Sequence, residues 1–77
     1  MIVSVECEPA HNGEATPRFF TLGDRRIAIA DILDRWLGDE YDYYKIRDPN
    51  GDTFILRRDT DDRTWEIWMY QRAGVDA

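Results

Sequence analysis

The sequence predicts a mainly β domain over residues 1–72: five or six antiparallel strands in a strongly bent sheet or small SH3-like open barrel, ending in a frayed tail at 73–77. Three observations carry this. Apolar and polar residues alternate through YYKIRDPNGDTFILRRDTDDRTWEIWMY, residues 43–70; turn chemistry divides the stretch into three strands; and the register those turns impose sets opposite charges side by side. So short a chain covers one face of a sheet only by folding the sheet over it, so the sheet must curve.

Asp48-Pro49-Asn50-Gly51 is the first turn. Asp caps it, Pro49 presets φ, Asn50 tolerates the bridge region and Gly51 accepts positive φ. A three-residue loop with a Gly bulge sets Arg47 opposite Thr53, Ile46 opposite Phe54, Lys45 opposite Ile55, Tyr44 opposite Leu56 and Tyr43 opposite Arg57. The second turn, Thr60-Asp61-Asp62-Arg63, pairs Asp59 with Thr64 and sets Arg57 opposite Glu66, Leu56 opposite Ile67 and Phe54 opposite Met69. A slip of one residue would put Glu66 into the row that holds Leu56. The expected core face is Tyr44, Ile46, Phe54, Leu56, Trp65, Ile67 and Met69.

Upstream, IVSVEC at 2–7 alternates as a strand with Val3, Val5 and Cys7 on one face, and Cys7 is expected to be a buried, inert thiol. Residues 8–17, bounded by Pro9 and Pro17, read as a polar surface loop holding His11. RFFTL at 18–22 and RRIAI at 25–29 make a hairpin through Gly23-Asp24, which fits a two-residue turn. The segment 27–38 is ambiguous. Ile29, Ile32, Leu33, Trp36 and Leu37 have helical spacing with Gly38 placed as a C-cap, so an α+β fold with one helix at about 27–37 packed on the sheet is the alternative. A long strand reset by a bulge near Ala30-Asp31 is preferred, because the β-branched run leaves a hairpin directly and no helix start signal precedes it.

Seventy-seven residues bound a single small domain with no room for a large enclosed active site. Three Trp, four Tyr and three Phe raise the apolar area buried per residue, which a small core without disulfides needs. One cysteine precludes an internal disulfide and suits a reducing cytosol. No apolar run approaches the ~20 residues of a membrane span, so a cytoplasmic protein is expected. The net charge of −6 and pI near 4.5 repel phosphate backbones and anionic membranes.

Chemistry-bearing motifs do not assemble. DPNGD resembles part of a calcium loop, but aligning Gly51 with the invariant glycine puts Ile46 at the first carboxylate position and Arg57 at the terminal one. Asp59, Asp61 and Asp62 read as a solvated acidic turn. Asp31 and Asp34 flank apolar residues with no sign of the cleft that acid–base work requires. Ser4 has no adjacent base. No catalytic residue, cofactor or metal is expected.

The second face of the meander is unusual for a solvated face, with Tyr43, Lys45, Arg57, Trp68 and Tyr70 placing aromatic rings among charges. Either the curling sheet or the first half of the chain covers it, or it binds a partner. Together with Trp36 these residues form the candidate interaction surface. The expected function is a non-catalytic interaction or accessory module with a protein partner or a second copy. The alternative is a nucleic-acid accessory domain with Lys45, Arg57, Arg58 and the Tyr rings as a stacking strip.

The combined pattern FTLGDRRIAIADILDRW, YYKIRDPNGDTFILRRD and WEIWMY resembles an uncharacterised family of small bacterial proteins, a domain of unknown function with a Gly-Arg hairpin, an ILDRW-like segment and a Tyr-rich meander. More distantly it is similar to C-terminal β-rich segments that accompany Y-family polymerase-related proteins. The resemblance spans about residues 18–70 and implies no activity, and the acidic pI departs from what a DNA-lesion role would suggest.

Overall fold

A computed structural model of the chain describes residues 2–9 and 15–73. These form seven strands: β1 (Ile2–Pro9), β2 (Ala15–Leu22), β3 (Arg25–Ala28), β4 (Asp31–Leu37), β5 (Tyr41–Arg47), β6 (Thr53–Asp59) and β7 (Trp65–Gln71). They make one antiparallel sheet in the order β3-β2-β1-β7-β6-β5-β4. Its two outermost strands are consecutive in the chain. The Ile29 N–H donates to the Arg18 carbonyl on β2 and the next amide, Ala30, donates to the Arg47 carbonyl on β5, both at 2.8 Å. Two residues thus carry the chain from one end of the sheet order to the other, and the sheet is curled into a half-barrel.

The 27–38 ambiguity resolves as strand, and the fold is all-β. Ile27 and Ile29 face inward and are buried, as the strand reading requires. The long strand breaks at Ile29-Ala30 into β3 and β4, which makes seven strands where five or six were expected. A second irregularity follows at Leu33, between the Ile32–Ile46 and Asp34–Lys45 pairs. This second irregularity places Ile32 and Trp36 on opposite faces, so their helical spacing reflects a bulged strand. Gly38 belongs to the β4–β5 turn, where an added Cβ would lie 2.8 Å from the Tyr41 carbonyl oxygen.

The first hairpin of the meander has the expected register, from Tyr43–Arg57 to Arg47–Thr53. Its turn is closed by Asp48, whose Oδ1 accepts from the Asn50 and Asp52 amides at 3.0 and 2.9 Å, and Gly51 takes φ +89°. Asp48 is accordingly buried. The second hairpin begins in the expected register, with Arg57 opposite Glu66 and Leu56 opposite Ile67, and then departs from it. Ile55 faces Met69 and Phe54 faces Tyr70, leaving Trp68 as the extra residue of a bulge. Met69 therefore leaves the expected core face and is 55% exposed, while Tyr70 takes the inward position beside Phe54. The extra residue inverts the alternation of everything after it.

The expected 8–17 loop is shorter than the sequence implied: Glu8 and Pro9 extend β1, and Ala15 to Pro17 begin β2, paired as Glu8–Thr16 and Cys7–Pro17. His11 lies outside the described residues, as does the tail beyond Ala73. Ala73 itself is held, its amide donating to Asp52 Oδ1 at 2.7 Å. Cys7 is exposed, against the expectation of burial. It sits past the β1–β7 pairing, which among the described residues is Ile2–Glu66 and Val3–Trp65.

The concave face holds the core: Val3, Phe20, Ile27 and Ile29 from the first half meet Tyr44, Ile46, Phe54, Leu56 and Trp65 from the meander. The Phe20 and Phe54 rings join the halves edge to face at 4.9 Å. The described part of the first half therefore packs on the concave side of the meander, and no described element covers its second, convex face.

Candidate functional site

Four aromatic residues meet on the convex face. Tyr43 of β5 is the hub: its ring centroid lies 6.4 Å from Trp36 of β4, 6.2 Å from Tyr41 and 5.0 Å from Trp68. Trp68 is the bulged residue of β7 and reaches across β6 to touch Tyr43. Trp36 and Trp68 remain 44% and 50% exposed, so these contacts order the rings without removing them from solvent. Arg57 borders the strip, with its guanidinium 4.1 Å from the Tyr41 ring and bonded to Glu66 in the cross-strand pair that the sequence predicted. Lys45 lies on the same face, opposite Ile55 and Asp34.

The structure thus brings together five of the six candidate residues, Trp36, Tyr43, Lys45, Arg57 and Trp68, and removes Tyr70 to the concave side. It also separates the two arginines of the basic strip. Arg58 points inward, where it bonds Asp42 Oδ2 at 2.8 Å and lies over the Trp65 ring at 5.5 Å. Asp42 is 8% exposed, and Arg58 Nε is buried without a hydrogen-bond partner. With Arg57 committed to Glu66 and Arg58 on the opposite face, no continuous row of cations among the described residues adjoins the Tyr rings.

The acidic turn after β6 uses its carboxylates on its own backbone. Asp59 Oδ1 accepts from the Asp61 and Asp62 amides, and Asp62 Oδ1 accepts from the Thr64 amide and hydroxyl at 2.9 and 2.7 Å. The Thr64 bonds hold the Asp62 carboxyl below its usual value. No three His, Cys, Asp or Glu side chains among the described residues converge as metal ligands. The thiol of Cys7 is partly shielded, and this outweighs the nearby Arg58 charge, so its pKa lies above the ordinary range and the thiolate is disfavoured.

Sequence reasoning missed a cleft of about 370 Å³ at the concave end between the β2–β3 hairpin and the Asp48–Asp52 turn. Its floor is apolar, formed by Leu22, Ile27, Phe54 and Ile67. Its rim is polar: Arg25 on one side, Asp48, Asn50 and Asp52 on the other, with Tyr70 against Phe54 at 4.8 Å between ring centroids. The Tyr70 hydroxyl donates to Asp52 Oδ2 at 3.3 Å. No local signal announces this cleft, because it needs both the Trp68 bulge that turns Tyr70 inward and the curl that brings β3 to the β5–β6 turn.

Among the described residues no helix is long and apolar enough to cross a membrane. Comparison of the chain with protein-family models, curated proteins and solved structures finds no match.

Proposed function

We propose that this chain is a non-catalytic protein-interaction module of the cytosol that docks a partner protein on the convex strip formed by Trp36, Tyr43 and Trp68. One observation carries the reading: two half-exposed tryptophans share a tyrosine hub on a sheet face that no other described element covers. Trp and Tyr expose large, rigid apolar area beside polar groups, the composition of binding hot spots. Lys45 and the Arg57–Glu66 pair give the strip a charged border suited to an interface rim. The cytosolic assignment rests on the single cysteine.

The test compares wild type with the Trp36→Ala/Trp68→Ala double variant. Light scattering across a concentration series reads self-association, and affinity capture from the source cell reads partners. The variant is expected to keep the wild-type circular dichroism and melting temperature while losing at least ten-fold in affinity for the partner or second copy that wild type holds. Equal retention by both proteins, or unfolding of the variant, would assign the strip to packing and overturn the proposal.

A further inference from the structure

We infer that the concave cleft is a binding site for a small organic amine, a protonated ammonium joined by a short linker to an apolar or aromatic body. The inference is independent of the convex strip. At about 370 Å³ the cleft lies toward the small end of ligand pockets, which run from about 300 to 1,000 Å³. Leu22, Ile27, Phe54 and Ile67 give it an apolar floor for the body of such a ligand.

The charge of the ligand follows from the rim. Asp48 is 6% exposed and lines the cleft, yet both of its hydrogen bonds within the turn end on Oδ1. Among the described residues Oδ2 accepts none, so an otherwise buried carboxylate keeps one oxygen for the cleft. Asp52 adds a second carboxylate, already oriented by the Tyr70 hydroxyl and the Ala73 amide. The half-exposed Tyr70 ring beside them offers a face that attracts a cation. Arg25 is the opposing charge, but it is exposed, where solvent and salt screen it, and it forms no ion pair with any described residue. A buried carboxylate exerts a less screened field, and the net charge of −6 over the whole chain adds to it.

Three probes that share one aromatic body separate charge from apolar burial: phenethylamine, phenethyl alcohol and 3-phenylpropionate, each titrated into the full chain by amide-resolved NMR at pH 7. The amine is expected to bind at least ten-fold tighter than the alcohol, with shifts centred on Asp48, Asp52, Phe54 and Tyr70, and the acid to bind more weakly than either. Asp52→Asn should weaken amine binding at least five-fold. Because Asp52 also anchors Tyr70 and Ala73, Arg25→Glu supplies a change outside those contacts and should tighten amine binding about three-fold. Equal affinity for amine and alcohol, preference for the acid, weakening in Arg25→Glu, or no amine binding at millimolar concentration would each overturn the inference.

Discussion

Tyr44 shows how one side chain couples the core to pH. It is 4% exposed, packs on Trp65 at 5.3 Å between centroids, and has its hydroxyl pKa raised, chiefly because burial penalises the phenolate. Below the unfolded-state value of about 10 both states keep the proton, so stability is intact. As pH rises past that value the unfolded chain releases the proton first, and stability falls until the folded-state value is passed. Tyr44→Phe keeps the ring and removes the ionisation. Its melting temperature is expected to drop less than that of wild type between about pH 9 and pH 11.5, and equal drops would show that Tyr44 is not the group responsible. Arg58 makes a different compromise, gaining Asp42 and the Trp65 face while its Nε stays buried and unpartnered. Such a pair specifies a register more than it adds stability.

At the scale of the element, β7 decides both faces of the molecule. Trp68 stands in the strand as an extra residue, so Ile67 faces inward, Met69 outward and Tyr70 inward again. The bulge supplies the hub contact of the convex strip and one wall of the concave cleft. Deleting Trp68 would let Met69 follow Ile67 directly, with Met69 still opposite Ile55 and Tyr70 still opposite Phe54 in regular alternation. The deletion variant is expected to fold and to retain ring-to-ring nuclear Overhauser effects between Tyr70 and Phe54, while Tyr43 loses its tryptophan neighbour on β7. If Met69 protons replace Tyr70 at Phe54, the Phe54–Tyr70 pair is not what fixes the register. The segment 27–37 carries two departures from regular pairing, the break at Ile29-Ala30 before β4 and the bulge at Leu33 within it, and the bulge puts aliphatic residues on both faces of β4.

At the scale of the molecule, stability depends on the two halves sharing one core. Phe20 is fully buried and meets Phe54 edge to face, yet among the described residues the β1–β7 pairing that joins the halves involves two residue pairs. Side-chain packing therefore holds the half-barrel together more than backbone pairing does. Truncating a buried phenylalanine costs about 3–5 kcal/mol, against a total of about 4–12 kcal/mol for a domain of this length. Phe20→Ala is expected to lower the denaturation midpoint strongly, with Trp65 and Trp36 fluorescence lost in one transition. Separate transitions would mean that the meander folds without the first half.

The sequence by itself determined the all-β antiparallel architecture, the first hairpin of the meander and the identity of most of the core, though not the number of strands. Alternation at period two fixes which side chains share a face, and Asp-Pro-Asn-Gly fixes a loop length, so the Tyr43–Arg57 to Arg47–Thr53 register follows from local chemistry. Even the strand nature of 27–37 was legible from the β-branched run leaving a hairpin. Four residues of the convex surface, Tyr43, Lys45, Arg57 and Trp68, were legible too, because alternation places them on the face away from the core, whereas Trp36 reaches it through the bulge at Leu33. Tertiary structure decided where alternation breaks. A bulge has no strong local signature when every residue in WEIWMY favours a strand; Trp68 is extruded because Phe54 accepts Tyr70 as its neighbour across a curled sheet. The same curl brings Arg25 of β3 to the turn at Asp48 and Asp52, residues far apart in sequence and unrelated by any spacing, and so creates the cleft. Local propensity sets what each strand presents, and closure of the sheet sets what those presentations meet.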